Sequence, residues 1–269
     1  MAPRRKAEKY YENEAALCRA FIEAATANGK WIAYAETGGW DIVMVRKLDG
    51  FQIGIQAKMA FNPEVIKQCL ETYWGSGHHQ GPDVRAVLVP RGNGQLHLGT
   101  ICEYIGIARI FMNGPKRDGY RYGGNHSYPF DPLLPDDDAR SEWRMQEWPQ
   151  WVTENRIRLP DYVPDVAAGS PAPMQLTAWK INAIKIAVTI EKRGYVTRQD
   201  FKHHHIDYRR WLTPGSEWLA RSPEGKLTPG RYFPNLKAAH PRNYQEIAAD
   251  YEKWKMPESM IPPVQPKLI

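Results

Sequence analysis

Cysteine is scarce in this 269-residue chain: Cys18, Cys69 and Cys102 stand far apart, odd in number and without a C-x-x-C pair. That excludes a disulfide scaffold and leaves no thiol spacing for a zinc or redox centre, so a reducing compartment is the simplest setting. A chain of this length buries enough core to fold without covalent staples. No run of eighteen apolar residues occurs, and no segment reads as a membrane helix. The basic start Met1-Ala-Pro-Arg-Arg-Lys6 leads into an amphipathic stretch instead of the apolar core of a secretory signal. The expectation is a cytoplasmic protein with no membrane partner. Internal repeats and low-complexity tracts are also missing.

Charge is present in both signs but unevenly placed. Residues 1–175 hold 20 Lys+Arg against 21 Asp+Glu, whereas residues 176–269 hold 16 against 9. The whole excess of the +6 chain therefore lies in its last third. A localised basic field is the footprint of a polyanion partner, because cations that meet phosphates release condensed counterions. A polyanion, a class that includes double-stranded DNA, is the partner this predicts.

Hydrophobic spacing predicts a helix from about Ala7 to Asn28, with Asn28-Gly29 as its stop. Three strands follow, Trp31 to Ala35, Asp41 to Val45 and Phe51 to Ala57, separated by Thr37-Gly38-Gly39 and Leu48-Asp49-Gly50. They read as a tight antiparallel meander. Asn62-Pro63 opens a helix to about Trp74. Asp83 to Pro90 reads as a buried strand, and Leu98 to Met112 as a short helix leading into another strand. From about 113 to 163, Gly, Pro and Asp mix with aperiodic aromatics, among them Tyr120, Tyr122, Trp143, Trp148 and Trp151; this predicts an irregular extension packed on the first domain. Residues 164–175 have linker composition. Leu176 to Arg193 is an apolar helix ended by Gly194. Thr197-Arg-Gln-Asp200 opens a second, running towards Trp211, and Glu217–Arg221 with Lys226–Thr228 flanks a turn at 222–225. The division expected is 1–163, linker 164–175, and 176–269.

Asp41 begins its strand directly after Gly38-Gly39-Trp40, and period-two geometry in Gly54-Ile-Gln-Ala-Lys58 puts Gln56 and Lys58 on one face. The residues "GGWDIVMV" followed by "GIQAK", with fourteen residues between Asp41 and Gln56, resemble the PD-(D/E)XK nucleases. Within that superfamily they resemble the Mrr-like restriction endonucleases, in which glutamine replaces the last acidic residue. The order helix, three strands, helix, strand agrees. The resemblance implies an α/β (α+β) restriction-endonuclease-like core with a mixed central sheet flanked by helices. It also implies a Mg²⁺-dependent DNA endonuclease, with Mn²⁺ as substitute. Asp41 would ligate the metal, Gln56 would ligate or position through its carbonyl, the Ala57 backbone carbonyl would face the metal, and Lys58 would orient the attacking water. Glu14 from the first helix, or Glu36, would supply a further carboxylate. Such hydrolysis needs a hard cation held by oxygen ligands. Because Gln56 is neutral, a binding protein that has lost turnover is one alternative, and a junction-resolving nuclease is another. Cutting both strands would call for a homodimer.

Residues 176–269 resemble a winged-helix module, small and mainly helical. Its DNA-facing candidates are Arg198, Lys202, His203, Arg209 and Arg210 on or after the second helix, with Arg221 and Lys226 on the hairpin. Three consecutive histidines, His203 to His205, cannot share one metal on a helix, where neighbours diverge by about 100°. His78-His79 reads as an exposed loop pair and Asp136 to Asp138 as a charge run, neither with assigned chemistry.

Overall fold

The computed structural model describes residues 10–74, 80–92, 96–117, 119, 121–123, 126–135, 148–151, 155–170, 175–223 and 225–260. His78-His79, Asp136 to Asp138, Tyr120 and Trp143 lie outside these. The chain divides into two compact units: unit 1 holds Met1–Leu159 and Val166–Gln175, unit 2 holds Pro160–Asp165 and Leu176–Ile269.

Unit 1 is a mixed α/β structure. In chain order it runs α1 (Glu14–Thr26), β1 (Trp31–Thr37), β2 (Trp40–Arg46), β3 (Gln52–Ala57), α2 (Pro63–Trp74), β4 (Val84–Pro90), α3 (Leu96–Ile105), β5 (Ile107–Met112), β6 (Gly114–Arg117), β7 (Arg121–Gly123) and β8 (Phe130–Asp131). The central sheet has the order β1-β2-β3-β4-β5-β8. β1 to β3 form the expected antiparallel meander, β4 and β5 add in parallel, and β8 closes the far edge antiparallel. Alternation sorts the side chains. Ile42, Met44, Ile53, Ile55 and Ala57 face Leu17, Cys18 and Phe21 of α1. Val43, Val45, Val87 and Val89 share the second core with Val65 and Cys69 of α2 and Leu98 and Cys102 of α3. β4 is covered on both faces and fully buried, which is why it reads as a continuous apolar run.

Several elements depart from expectation. α1 starts at Glu14, not near Ala7, because Asn13 adopts an extended backbone and its side chain accepts the Ala16 N–H at 2.8 Å. The aromatic-rich extension contributes the β6–β7 hairpin, the sixth strand of the main sheet and the fully buried Trp148. Its Trp151 lies under the Arg85 guanidinium, 4.3 Å from ring centre to cation.

Unit 2 comprises α4 (Ala178–Arg193), α5 (Arg198–His203), a 3₁₀ turn (Tyr208–Leu212), β9 (Leu219–Arg221), β10 (Leu227–Pro229), α6 (Leu236–Ala239), α7 (Pro241–Ala249) and α8 (Tyr251–Trp254). α4 is capped by Thr177 and ended by Gly194 at φ +86°. The helix expected to run on to Trp211 instead breaks after His203: His205 takes φ +52°, and the chain restarts as the 3₁₀ turn behind Asp207. α7 and α8 have no counterpart in the sequence reading.

The stretch read as linker is anchored at Asp165 and again at Gly169. The Asp165 carboxylate accepts the N–H groups of Arg242 (3.0 Å) and Asn243 (3.1 Å) at the start of α7, and its other oxygen meets His240 Nδ1 at 3.0 Å. Val166–Gln175 belongs to unit 1 instead, and Gly169 donates its N–H to Glu36. Among the described residues no helix is long and apolar enough to cross a membrane.

Candidate functional site

The site lies where the meander ends. Gly38 and Gly39, at φ +61° and +83°, turn β1 into β2. The β2–β3 register runs to Ile42↔Ile55. Past that pair the Ala57 N–H finds its acceptor in the Asp41 carboxylate, with Oδ2 at 2.8 Å. Asp41 is therefore fixed by the backbone of the neighbouring strand. Lys58 follows the last residue of β3, and its N–H continues the pairing to β4 through the Leu88 carbonyl at 3.0 Å. Its ammonium reaches α1, where Nζ lies 3.2 Å from Glu14 Oε2. Both side chains are partly exposed.

Glu36 takes φ +49°, a left-handed conformation that non-glycine residues seldom hold. Its carboxylate accepts the Gly169 N–H at 2.8 Å. Gly169 is itself confined. At φ +70°, an added Cβ would meet Cys18 Sγ at 3.0 Å and the Glu14 carbonyl at 3.1 Å. Segment 166–170 thus touches Glu14, Cys18 and Glu36 and forms one wall of the site. Sequence reasoning passed over it because Val-Ala-Ala-Gly-Ser carries no chemical signal.

Electrostatics tie the group together. Burial raises the Glu36 pKa to about 7; the Gly169 N–H lowers it, and the charge on Asp41 adds to the rise. Burial likewise raises Asp41, with the Ala57 N–H and Lys58 opposing and Glu14 reinforcing. Cys18 feels all four groups: burial, then the charges of Asp41, Glu36 and Glu14, push its thiol up, and Lys58 acts against them. Asp41, Glu36, Glu14 and Lys58 thus occupy one electrostatic neighbourhood.

Gln56 is the exception. It is buried, and its Nε2 donates to the Gly39 carbonyl at 2.8 Å, so its carboxamide braces the Gly-Gly turn. The common face expected for Gln56 and Lys58 is lost because strand alternation stops at Ala57.

The implied metal can be tested against this donor set. Mg²⁺ usually keeps several waters and takes only one or two protein carboxylates. Asp41 and Glu36 are two carboxylates that burial leaves under-compensated, and such a pair suits a hard cation. Among the described residues no three His, Cys, Asp or Glu side chains form a ready-made metal cage.

In unit 2, Arg198, Lys202, His203, Arg209, Arg210 and Arg221 are exposed and Lys226 is half-buried. Arg209 is held by the Asp207 carboxylate at 2.9 Å. Arg198 lies 5.1 Å from the Tyr208 ring centre and Lys226 4.8 Å from that of Tyr195. The three histidines split: His203 Nε2 lies 3.1 Å from the Trp254 carbonyl, while His204 is buried against the Trp254 ring and burial lowers its pKa to about 4.

Comparison with protein-family models, curated proteins and solved structures gives no match. The functional reading rests on the chain itself.

Proposed function

We propose that this protein is a Mg²⁺-dependent DNA endonuclease of the PD-(D/E)XK type, Mrr-like in using glutamine for the last acidic residue, with a winged-helix-like module in unit 2. The observation that carries the reading is the hydrogen bond from the Ala57 N–H to the Asp41 carboxylate. It joins the aspartate of one strand to the backbone between Gln56 and Lys58 of the next. Support comes also from the order α1-β1-β2-β3-α2-β4 and from Glu14 arriving on α1.

In this reading Asp41, Glu36 and the Ala57 carbonyl would hold the ion, which would supply polarisation of the phosphate and a lower pKa for water. Lys58 orients the attacking water, and Glu14 holds the Lys58 ammonium until substrate arrives. Water adds to phosphorus and gives up a proton to solvent, the phosphorus–oxygen ester bond breaks, and the departing oxygen takes a proton from solvent. Gln56 acts by positioning, keeping the turn before Asp41 in place. In unit 2 a single-residue bridge, Val196–Leu227, borders the two-stranded β9–β10 hairpin, which supports the comparison with a wing.

The test is plasmid cleavage with Mg²⁺ or Mn²⁺. Asp41→Ala and Lys58→Ala should each lose activity by about 10² or more. Cleavage at the wild-type rate by both variants would reject the site. Including forked and four-way substrates separates a junction-resolving enzyme from a restriction-type one. A second reading, a DNA-binding regulator without turnover, is favoured by the commitment of Gln56 to Gly39 and of Lys58 to Glu14. It predicts DNA affinity without cleavage, and efficient cutting by the wild type ends it.

A further inference from the structure

Unit 2 carries an aromatic corner that the winged-helix reading leaves unused. Trp179 stands in the first turn of α4 with 43% of its surface exposed. Its ring centre lies 6.3 Å from that of Trp211 and 6.2 Å from that of Trp218, and those two are 5.2 Å apart. Trp211 is buried while Trp218 is half-buried. Two reachable indoles therefore lean on a third that is fixed in the core.

The backbone holds this arrangement. Trp218 donates its N–H to the Trp211 carbonyl at 3.0 Å, and accepts from Gly230 at 2.8 Å. Tyr232 donates to the Glu217 carbonyl at 3.3 Å, which lays Arg231 and Tyr232 alongside Trp218. Tyr232 is 49% exposed, and its ring centre lies 5.6 Å from the Arg231 guanidinium. Lys180 follows Trp179 in the chain, and Arg210 precedes Trp211. Among the described residues none of Lys180, Arg210 and Arg231 is held in an ion pair. The neighbouring acid, Glu217, is turned back onto the Gly215 N–H at 2.9 Å.

Cations outside any ion pair, two of them next in the chain to these tryptophans and one brought near Trp218 by the Tyr232–Glu217 bond, suit a partner that brings phosphates and flat apolar rings together. Duplex DNA hides its base faces in the stack, whereas a single strand offers both, and base–aromatic stacking is tolerant of sequence. We infer that Trp179 and Trp218 form a stacking platform for the bases of single-stranded DNA, with Lys180, Arg210 and Arg231 meeting its phosphates. The inference rests on the reading of unit 2 as a DNA-binding module and on nothing proposed for unit 1.

The experiment uses the full chain in EDTA, so that cleavage plays no part, and measures fluorescence anisotropy with an oligothymidylate of about twelve nucleotides and with a mixed-sequence duplex of the same length. Trp179→Ala should weaken single-strand binding about tenfold, Trp179→Phe should retain most of it, and duplex affinity should move less than about twofold. Unchanged single-strand affinity in both Trp179→Ala and Trp218→Ala, or equal losses on single strand and duplex, would overturn the platform. A wild type that binds duplex but no single strand removes the platform and leaves the DNA reading standing; binding to neither removes both. If Trp179→Ala alters sedimentation while DNA affinity stays the same, the corner is a contact between copies of the chain and the inference fails.

Discussion

At the scale of single residues, Glu36 is the most informative group. It holds a left-handed backbone, takes a hydrogen bond from Gly169, and keeps its proton up to about pH 7 because burial penalises its charge. An unfolded glutamate releases its proton near 4.5. Between those values the folded chain binds more protons than the unfolded one, so stability falls as pH rises through the window and levels off above it. Glu36→Gln keeps an oxygen for the Gly169 N–H and removes the titration. It should stabilise the protein by about 1 kcal/mol at pH 8, a figure reduced for the solvent that the half-buried carboxylate still sees, with no gain near pH 4.5. Urea unfolding at both pH values checks this, and an equal gain at each would sink it. The sequence marked Glu36 as a candidate. Its perturbed proton depends on a segment more than a hundred positions away, which no local pattern could reveal.

Among elements, legibility follows the range of the forces. The meander was readable because Gly-Gly and Asp-Gly turns and two-residue alternation act between neighbours in sequence. Asp41 could be placed for the same reason, since it stands beside the Gly-Gly turn that opens β2, whereas Lys58 falls one residue past the end of β3. Gln56 could not, because its partner is a turn carbonyl and the pleat alone does not select it. The interruption of α5 was hidden because three histidines in a row do not show which of them, if any, takes the left-handed conformation that His205 adopts. The start of α7 was hidden more deeply: its cap is Asp165, seventy-seven and seventy-eight positions from the amides it binds. The Asp165 and His240 side chains are almost fully buried, at 6% and 2% exposure. Asp165→Ala should therefore cost about 2–4 kcal/mol through lost helix-cap bonds and a stranded imidazole. Chemical denaturation of unit 2, followed through its tryptophans, measures it, and a loss below about 0.5 kcal/mol would show that the stretch tethers loosely, as its composition suggested.

For the whole molecule, charge is the feature that composition showed best. The +6 excess lies entirely beyond residue 175, and the exposed Arg198, Lys202, Arg209, Arg210 and Arg221 belong to it. If roughly five of these cations neutralise phosphates, the logarithm of duplex affinity should fall with a slope near −4.5 against the logarithm of salt concentration. That is a several-hundred-fold weakening between about 50 and 200 mM, and removing Lys202 or Arg210 should flatten the slope by about one. A slope shallower than about −2 would move the DNA contact elsewhere. Composition did not show that the stretch between the units is shared, with Pro160–Asp165 counted in unit 2 and Val166–Gln175 in unit 1. The Gly169 amide, held by Glu36, offers a practical consequence. In a nitrogen–proton correlation spectrum its peak would serve as an internal indicator dye, moving when that one side chain gains or loses charge and when an ion draws its oxygen away.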